Sequence, residues 1–402
     1  MIKREMYLKE IRNFIDKPII KVITGMRRSG KSMILKLISQ ELLEKGINSQ
    51  NIIYINFESL MFSELTEFKK LYSYIIEKSQ TLSGKVYILL DEIQEVQFWE
   101  KAINSFMVDL DCDIYITGSN ANLLSSELAT YIAGRYIEIK IYPLSFKEFI
   151  EFSKVNNPQQ VLNTEEYFEQ YLQFGGLPGI HNFNYDKTSI YQYLSDIYSS
   201  ILLKDVIARN NIRDIDLLER IILYIFDNIG NTFSVKNVSD FLKSQGRKLS
   251  RETVYNYLKA LENAYILSKI QRFDIKGKAI LETMEKFYLT DLGFRHAKLG
   301  YRANDIAGYL ENIVYLELLR KKYTVNIGKL KTKEVDFIGT YLDQKLYIQV
   351  TYLLASKETI EREFSPLKEI EDNYPKYVLS MDQIGEYNID GIIRKKIIDF
   401  LL

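Results

Sequence analysis

The sequence predicts an α/β fold. A buried parallel sheet covered by helices comes first, a helical region ending in two helices and a hairpin follows, and a small second α/β domain closes the chain. Three observations predict it. Ile19-Ile20-Lys21-Val22-Ile23-Thr24 is an apolar, β-branched run that enters a glycine loop and then an apolar stretch on helical spacing. Val86-Tyr87-Ile88-Leu89-Leu90 is a second apolar run, closed by Asp91 and Glu92. Strands buried on both faces of a parallel sheet read as continuous apolar runs, with functional groups at their carboxyl ends. Near the C-terminus a helical pattern over 310–318 precedes two strand patterns, 334–338 and 346–352.

The glycine loop, Gly25-Met26-Arg27-Arg28-Ser29-Gly30-Lys31-Ser32, fits G-x-x-x-x-G-K-[ST]. Its setting, strand before and helix after, is the one this phosphate-binding pattern requires. Gly25 and Gly30 allow the dihedrals and close approach that let backbone N–H groups turn inward. The following helix presents its positive end to an anion. Candidate nucleotide contacts are Gly25, Arg28, Ser29, Gly30, Lys31, Ser32 and Met33. Lys31 is expected to reach the β- and γ-phosphates of ATP, and the Ser32 hydroxyl to ligate Mg²⁺. Asp91 is expected to hold the water shell of that ion, and Glu92 to orient the attacking water.

A third strand, Cys112-Asp113-Ile114-Tyr115-Ile116-Thr117-Gly118, ends in Ser119-Asn120. Lying between the other two, it would aim Asn120, or Ser119, at the γ-phosphate or the water. Arg135 follows Gly134 between a helical and a strand pattern, where an arginine finger could meet developing charge on phosphoryl oxygens. A surface arginine in a turn is the other reading.

Residues 146–230 read as helical, broken at Gly175-Gly176-Leu177-Pro178-Gly179, with a long aromatic-rich helix over 191–207. Ser234 can cap a helix carrying Val235, Val238 and Leu242, and Ser250 a second with Val254, Tyr257, Leu258 and Leu261. Ile266 to Phe273 then reads as a strand, Ile275-Lys276-Gly277-Lys278 as a basic turn, and Lys286 to Leu289 as the return. Two helices and a hairpin resemble a winged helix-turn-helix. Its second helix would enter the DNA major groove, with Arg247, Lys248, Arg251, Asn256 and Lys259 on or near the polar side. Residues 234–290 hold eleven Lys and Arg against six Asp and Glu, a local basic excess in a chain of net charge zero. A winged helix used only for packing against protein is the alternative.

At the C-terminal end, Glu311 on a helix, Asp336 on a strand and Gln349 on the next resemble a PD-(D/E)xK nuclease core. That chemistry wants clustered carboxylates for Mg²⁺ and a lysine to help activate water. Gln349 stands where glutamate is expected and Thr351 where lysine is expected, so a degenerate domain is the reading, with Lys333 or Lys357 as candidate substitutes for the lysine.

Taken in order, the glycine loop, the Asp91-Glu92 strand, Thr117-Gly118-Ser119-Asn120, Gly134-Arg135 and Tyr142-Pro143-Leu144-Ser145-Phe146 resemble a prokaryotic family of AAA-like P-loop ATPases. Gly175 to Gly179, Tyr288 to Phe294 and Gly308 to Asn312 fit the same family, whose C-terminal half has long been labelled as of unknown function. The resemblance implies an ATPase core over 1–145, a helical region over 146–230, a winged helix over 231–295 and a degenerate nuclease-like domain over 296–402. It also implies that Lys31, Ser32, Asp91, Glu92, Asn120 and Arg135 take the roles given above. Two alternatives stand beside ATP hydrolysis: a non-catalytic, nucleotide-gated DNA-binding module, and a metal-dependent nuclease.

With 402 residues, two or three domains are expected. One cysteine rules out an internal disulfide and suits a reducing cytoplasm, and Cys112 at the start of an apolar strand reads as a buried thiol. The two histidines, His181 and His296, match no zinc spacing. No apolar run approaches the length of a membrane span. The expected partners are therefore ATP, DNA through the winged helix, an unidentified protein, and a second copy of the chain if Arg135 acts in trans.

Overall fold

The computed structural model describes residues 2–124, 132, 134–244, 250–383 and 386–402. These divide into two compact units, one of residues 1–141 with 263–265 and one of 142–262 with 266–402.

In the first unit, five strands form a parallel sheet among the described residues: β1 (Ile20–Thr24), β2 (Ile52–Asn56), β3 (Val86–Asp91), β4 (Cys112–Gly118) and β5 (Tyr136–Lys140). Their order is β2-β3-β4-β1-β5, so β4 lies between β1 and β3 as expected. Alternate residues serve opposite faces. Val22, Ile88, Leu90 and Ile116 pack with α3 (Phe68–Ser79) and α4 (Trp99–Asp109). Ile23, Leu89, Tyr115 and Ile139 pack with α1 (Glu5–Arg12) and α2 (Lys31–Glu44) on the other. Both faces are covered, which is why the strands read as unbroken apolar runs. Cys112 is only half-buried, and burial pushes its thiol up to about 12.

The second unit begins with α5 (Phe146–Asn156) and α6 (Thr164–Phe174), each started by a capping box, Ser145 with Glu148 and Asn163 with Glu166. The helix expected over 191–207 divides. α7 (Lys187–Ile201) ends in a wider π-helical stretch, Leu202–Ala208, which carries the buried Asp205 paired to Arg209 at 3.4 Å. After α8 (Ile215–Asp227) come α9 (Val235–Ser244) and α10 (Arg251–Asn263), the two helices read from the sequence. Ser250 caps α10 by accepting the Thr253 N–H at 3.1 Å.

The hairpin is β6 (Leu267–Asp274) and β7 (Ala279–Leu289), its return strand longer than the sequence suggested. It is also the margin of a larger sheet. Among the described residues eight strands run in the order β12-β13-β11-β10-β9-β8-β6-β7, with β6 parallel to β8 (Thr324–Leu330). The others are β9 (Lys333–Tyr341), β10 (Gln344–Val350), β11 (Lys376–Ser380), β12 (Tyr387–Ile389) and β13 (Ile392–Lys396). The helices α11 (Leu292–Leu299), α12 (Ile306–Arg320), α13 (Lys357–Lys368) and α14 (Ile397–Leu401) complete the unit. No described helix is long and apolar enough to cross a membrane.

Candidate functional site

The glycine loop joins β1 to α2 at the carboxyl end of the sheet. Gly25 has φ 141°, and a Cβ there would sit 2.3 Å from the Ile141 carbonyl oxygen, so no other residue fits. Gly30 has φ 104° and caps α2 with no side-chain hydrogen bond, while the first turn of that helix holds no acid. The helix therefore keeps its positive end facing the loop. Arg28 is exposed in a left-handed conformation, φ 65°, and Met33 is exposed on the first turn. Ser29 and Lys31 are buried, and Ser32 is half-buried.

Lys31 Nζ donates to the Met26 carbonyl at 3.2 Å and lies 3.5 Å from Glu92 Oε1. Burial pulls its ammonium below the usual lysine range, against the opposing pull of Glu92 and Asp91. Glu92 stands in a left-handed turn, φ 55°, right after β3. Burial pushes its carboxyl up, but Lys31, the Gln94 amide, Arg27 and the Ser119 hydroxyl together bring it below the ordinary range. Asp91 is fully buried and accepts from the Thr117 hydroxyl at 2.6 Å and the Tyr54 hydroxyl at 3.0 Å. Thr117 in turn accepts the Glu92 N–H at 2.8 Å.

The register of β1 with β4 pairs Thr24 with Gly118, which sets Ser119 and Asn120, both buried, beside the start of the loop. Lys31, Ser32, Asp91, Glu92 and Asn120 thus gather at one end of one sheet. Arg135 does not join them. Its carbonyl accepts the Ile20 N–H at 2.8 Å, at the start of β1, and its guanidinium reaches Asn104 Oδ1 at 3.1 Å. A five-residue strand, about 16 Å, separates it from the loop. In this chain's own site it has no reach, and its contact with Asn104 fits the reading of a surface arginine in a turn.

Sequence reasoning missed Thr117, Tyr54, Gln94 and Arg4. Thr117 was in view as a strand residue beside the Asp91 strand, but its bond to Asp91 depends on the register of β3 with β4. Arg4, just before α1, donates from Nη1 to the Ser29 carbonyl at 2.9 Å and lies over the Tyr7 ring.

In the second unit Arg251, Asn256 and Lys259 are exposed on α10. Arg251, Tyr255 and Lys259 follow one another at four-residue spacing on a single stripe, with Tyr255 half exposed. Lys276 and Lys278 are exposed at the hairpin tip. Arg247 and Lys248 lie outside the described residues.

Glu311, Asp336 and Gln349 do come together, around a cavity of about 440 Å³. The Asp336 N–H donates to Gln349 Oε1 at 2.7 Å, the Gln349 amide donates to Glu363 at 3.0 Å, and Asp336 accepts the Val350 N–H at 2.8 Å. Lys333 lines the cavity but pairs with Glu369 at 2.6 Å, Arg362 lines it and pairs with Glu363 at 2.7 Å, and Lys357 is exposed. The ammonium against Glu311 is that of Lys286 on β7, 3.4 Å from Glu311 and 2.8 Å from Glu334. Burial works against its charge, but Glu311, Asp336 and Glu334 outweigh it and raise its pKa. Burial raises the carboxyls of Asp336 and Glu311. Among the described residues no group of three His, Cys, Asp or Glu is placed to hold a metal. Gln349 is committed to Asp336 and Glu363, and the Lys286 ammonium lies against Glu311.

The remaining sequence motifs meet inside the same unit. Asp291 accepts the Gly176 and Gly293 N–H groups, both at 2.8 Å. Burial pushes its carboxyl up to about 6 against those bonds. Asn312 bonds both the N–H and the carbonyl of Leu289, at 2.7 and 2.9 Å. Arg320 donates to the Pro143 and Leu144 carbonyls, both at 3.1 Å. These motifs hold backbone to backbone.

Residues 17–150 match the AAA domain family, and 165–305 match a domain of unknown function. An uncharacterized protein of Haemophilus influenzae is 40% identical over 402 residues, covering 100% of this chain and 99% of that one. An uncharacterized protein of Methanocaldococcus jannaschii is 32% identical, covering 97% of this chain and 86% of its own. Among solved structures, a Walker-type ATPase of Pyrococcus abyssi aligns over 74% of this chain and 95% of that one, with a TM-score of 0.54 and 16% identity. That likeness is one of fold.

Proposed function

We propose, from the premise that the chain belongs to one family with its Haemophilus influenzae relative and carries an AAA-family domain over residues 17–150, that it is an ATP-hydrolysing switch or motor acting in the cytoplasm. The single observation that carries this is the Lys31–Glu92 pair at 3.5 Å, at the mouth of a loop whose geometry only glycine satisfies. Gly25, Arg28, Ser29, Gly30 and Met33 would line the bound phosphates with their backbone. Lys31 would exchange Glu92 for phosphate oxygen, and Glu92 would then be free to polarise a water. The chemistry of the donors suits Mg²⁺: a hydroxyl from Ser32 and a carboxylate from Asp91 are hard oxygen ligands. Bound there, the ion would neutralise charge on the phosphates. Thr117 and Tyr54 hold Asp91 in place. Asn120 would orient the water or the γ-phosphate. Arg135 would complete the site of a neighbouring copy, which makes a homo-oligomer part of the proposal.

The exposed Arg251, Tyr255, Asn256 and Lys259 of α10 support DNA as the macromolecular partner. Phosphate contacts by Arg and Lys make affinity salt-dependent, and an exposed aromatic can stack on a base. The experiment is ATP turnover by the full chain, alone and with single-stranded, duplex or branched DNA at two salt concentrations. Lys31→Ala should abolish turnover, and wild-type turnover by that variant would defeat the assignment. Charge reversal at Arg251 and Lys259 should weaken DNA binding and flatten its salt dependence by about two counterions.

A further inference from the structure

We infer that Arg4 is a positioning residue of the phosphate loop, acting from the segment before α1 and not from the glycine motif. This rests on the nucleotide-binding reading above. Arg4 is 2% exposed, and its Nη1 holds the Ser29 carbonyl at 2.9 Å. A peptide group is planar and trans, so the carbonyl of Ser29 and the N–H of Gly30 point in opposite directions. Drawing that carbonyl toward Arg4 turns the Gly30 N–H to the other face of the loop. Around the same loop, Lys31 Nζ is bonded to the Met26 carbonyl, and the Ser29 hydroxyl, fully buried and with no partner among the described residues, lies 3.3 Å from where a Gly25 Cβ would project.

The left-handed Gly30, φ 104°, makes this peptide the one most in need of an external hold. Glycine rotates freely where other residues are confined, so the chain itself does little to fix the direction of this N–H. A guanidinium is a suitable hold: it is always charged, planar and pre-organised. Arg4 is itself ordered by the Tyr7 ring at 4.6 Å and by its place at the start of α1, whose Tyr7 and Leu8 N–H groups donate to its carbonyl. Its charge also adds to that of Lys31 beside a highly anionic ligand, in a site sheltered from solvent screening.

The test is titration calorimetry on the full chain with Mg-ATP and, separately, with Mg-tripolyphosphate, which has no base or sugar. Arg4→Met should weaken both by the same factor, about ten- to a hundredfold, as expected for losing a charged hydrogen bond. The thermal unfolding temperature without ligand should fall by a few degrees, because the same bond is present without ligand, but the folded fraction at the titration temperature should be unchanged. Arg4→Lys, which keeps the charge but not the fork, should weaken both by a smaller common factor, and serves alone if the methionine variant does not fold. Unchanged affinity for both ligands in a folded variant would overturn the inference. So would lost ATP binding with tripolyphosphate retained, which would make Arg4 a contact to base or ribose. A folded wild type that binds neither ligand would sink the nucleotide reading itself.

Discussion

The Lys31 ammonium lies 3.5 Å from a carboxylate oxygen of Glu92, and both groups are buried. Lys31 helps hold Glu92 in its charged form against burial, while burial pulls Lys31 itself below the usual lysine range against the pull of Glu92. The carboxylate is thus kept ionised, as a base must be, and kept occupied until a stronger anion claims the lysine. Glu92→Gln removes the base and the competing charge together. Turnover should fall by about a hundred- to ten-thousandfold, the usual range for a general base. ATP affinity should be retained or improved, because Lys31 loses its competitor. Phosphate-release kinetics beside calorimetry would check this. Undiminished turnover, or lost binding, would count against the role.

Much of this site was legible because its residues are tied to one another by short spacing along the chain. Gly25 to Ser32 is one continuous turn, and Asp91-Glu92 ends a run whose apolar period announces a buried strand. Ser119 and Asn120 could be placed because small polar residues at a strand end have few structural uses. Arg4 and Tyr54 were illegible for the opposite reason. Their contacts with Ser29 and Asp91 span 25 and 37 residues and depend on how elements pack. The same holds for Lys286. The C-terminal acids were read correctly as a group, but the lysine was sought nearby, at Lys333 or Lys357. Lys333 does line that cavity, but the ammonium against Glu311 comes from the hairpin, because β6 joins β8 and the hairpin becomes part of that sheet.

Gly175 gives a sharp test of the motif junction in the second unit. Its φ is 77°, and a Cβ there would fall 1.9 Å from Asp291 Oδ1. Gly175→Ala must therefore displace a carboxylate that holds two backbone N–H groups, besides taking on backbone strain of about 1–3 kcal/mol. The expected loss is at least that strain, and urea unfolding measures it. A variant as stable as wild type would mean that the Asp291 cradle yields at no cost.

The two histidines make the chain acid-sensitive. Burial holds His181 at about 4, and burial with the Arg295 charge holds His296 at about 3. Both lie below their unfolded value near 6.5. As pH drops below that value the unfolded chain takes up protons that the folded chain refuses, so stability present above pH 6.5 is lost on acidification. Between pH 7 and pH 5 each should cost about 2 kcal/mol. Replacing either by Gln should reduce the difference between urea midpoints at those two pH values. An unchanged difference in both variants would place the acid sensitivity elsewhere.

Lys286 should be worth more as a counter-ion than any surface lysine. Its side chain is 5% exposed and answers Glu311 and Glu334 directly, with Asp336 beside them. Lys286→Met keeps the apolar stem and strips the charge, leaving buried carboxylates without compensation. Removing one partner of such a pair costs about 3–5 kcal/mol. The deficit should depend on pH with a definite sign. Burial already raises the carboxyls of Asp336 and Glu311, and without the ammonium they would rise further. The folded variant then binds protons more readily than its unfolded chain, so its stability improves relative to wild type as pH falls from 7 to 5. Urea unfolding of both proteins at the two pH values decides the matter. A deficit under about 1 kcal/mol, the worth of an exposed pair, would show that the acids never needed Lys286. A deficit equal at both pH values would show that methionine had disturbed packing and left the charge balance intact.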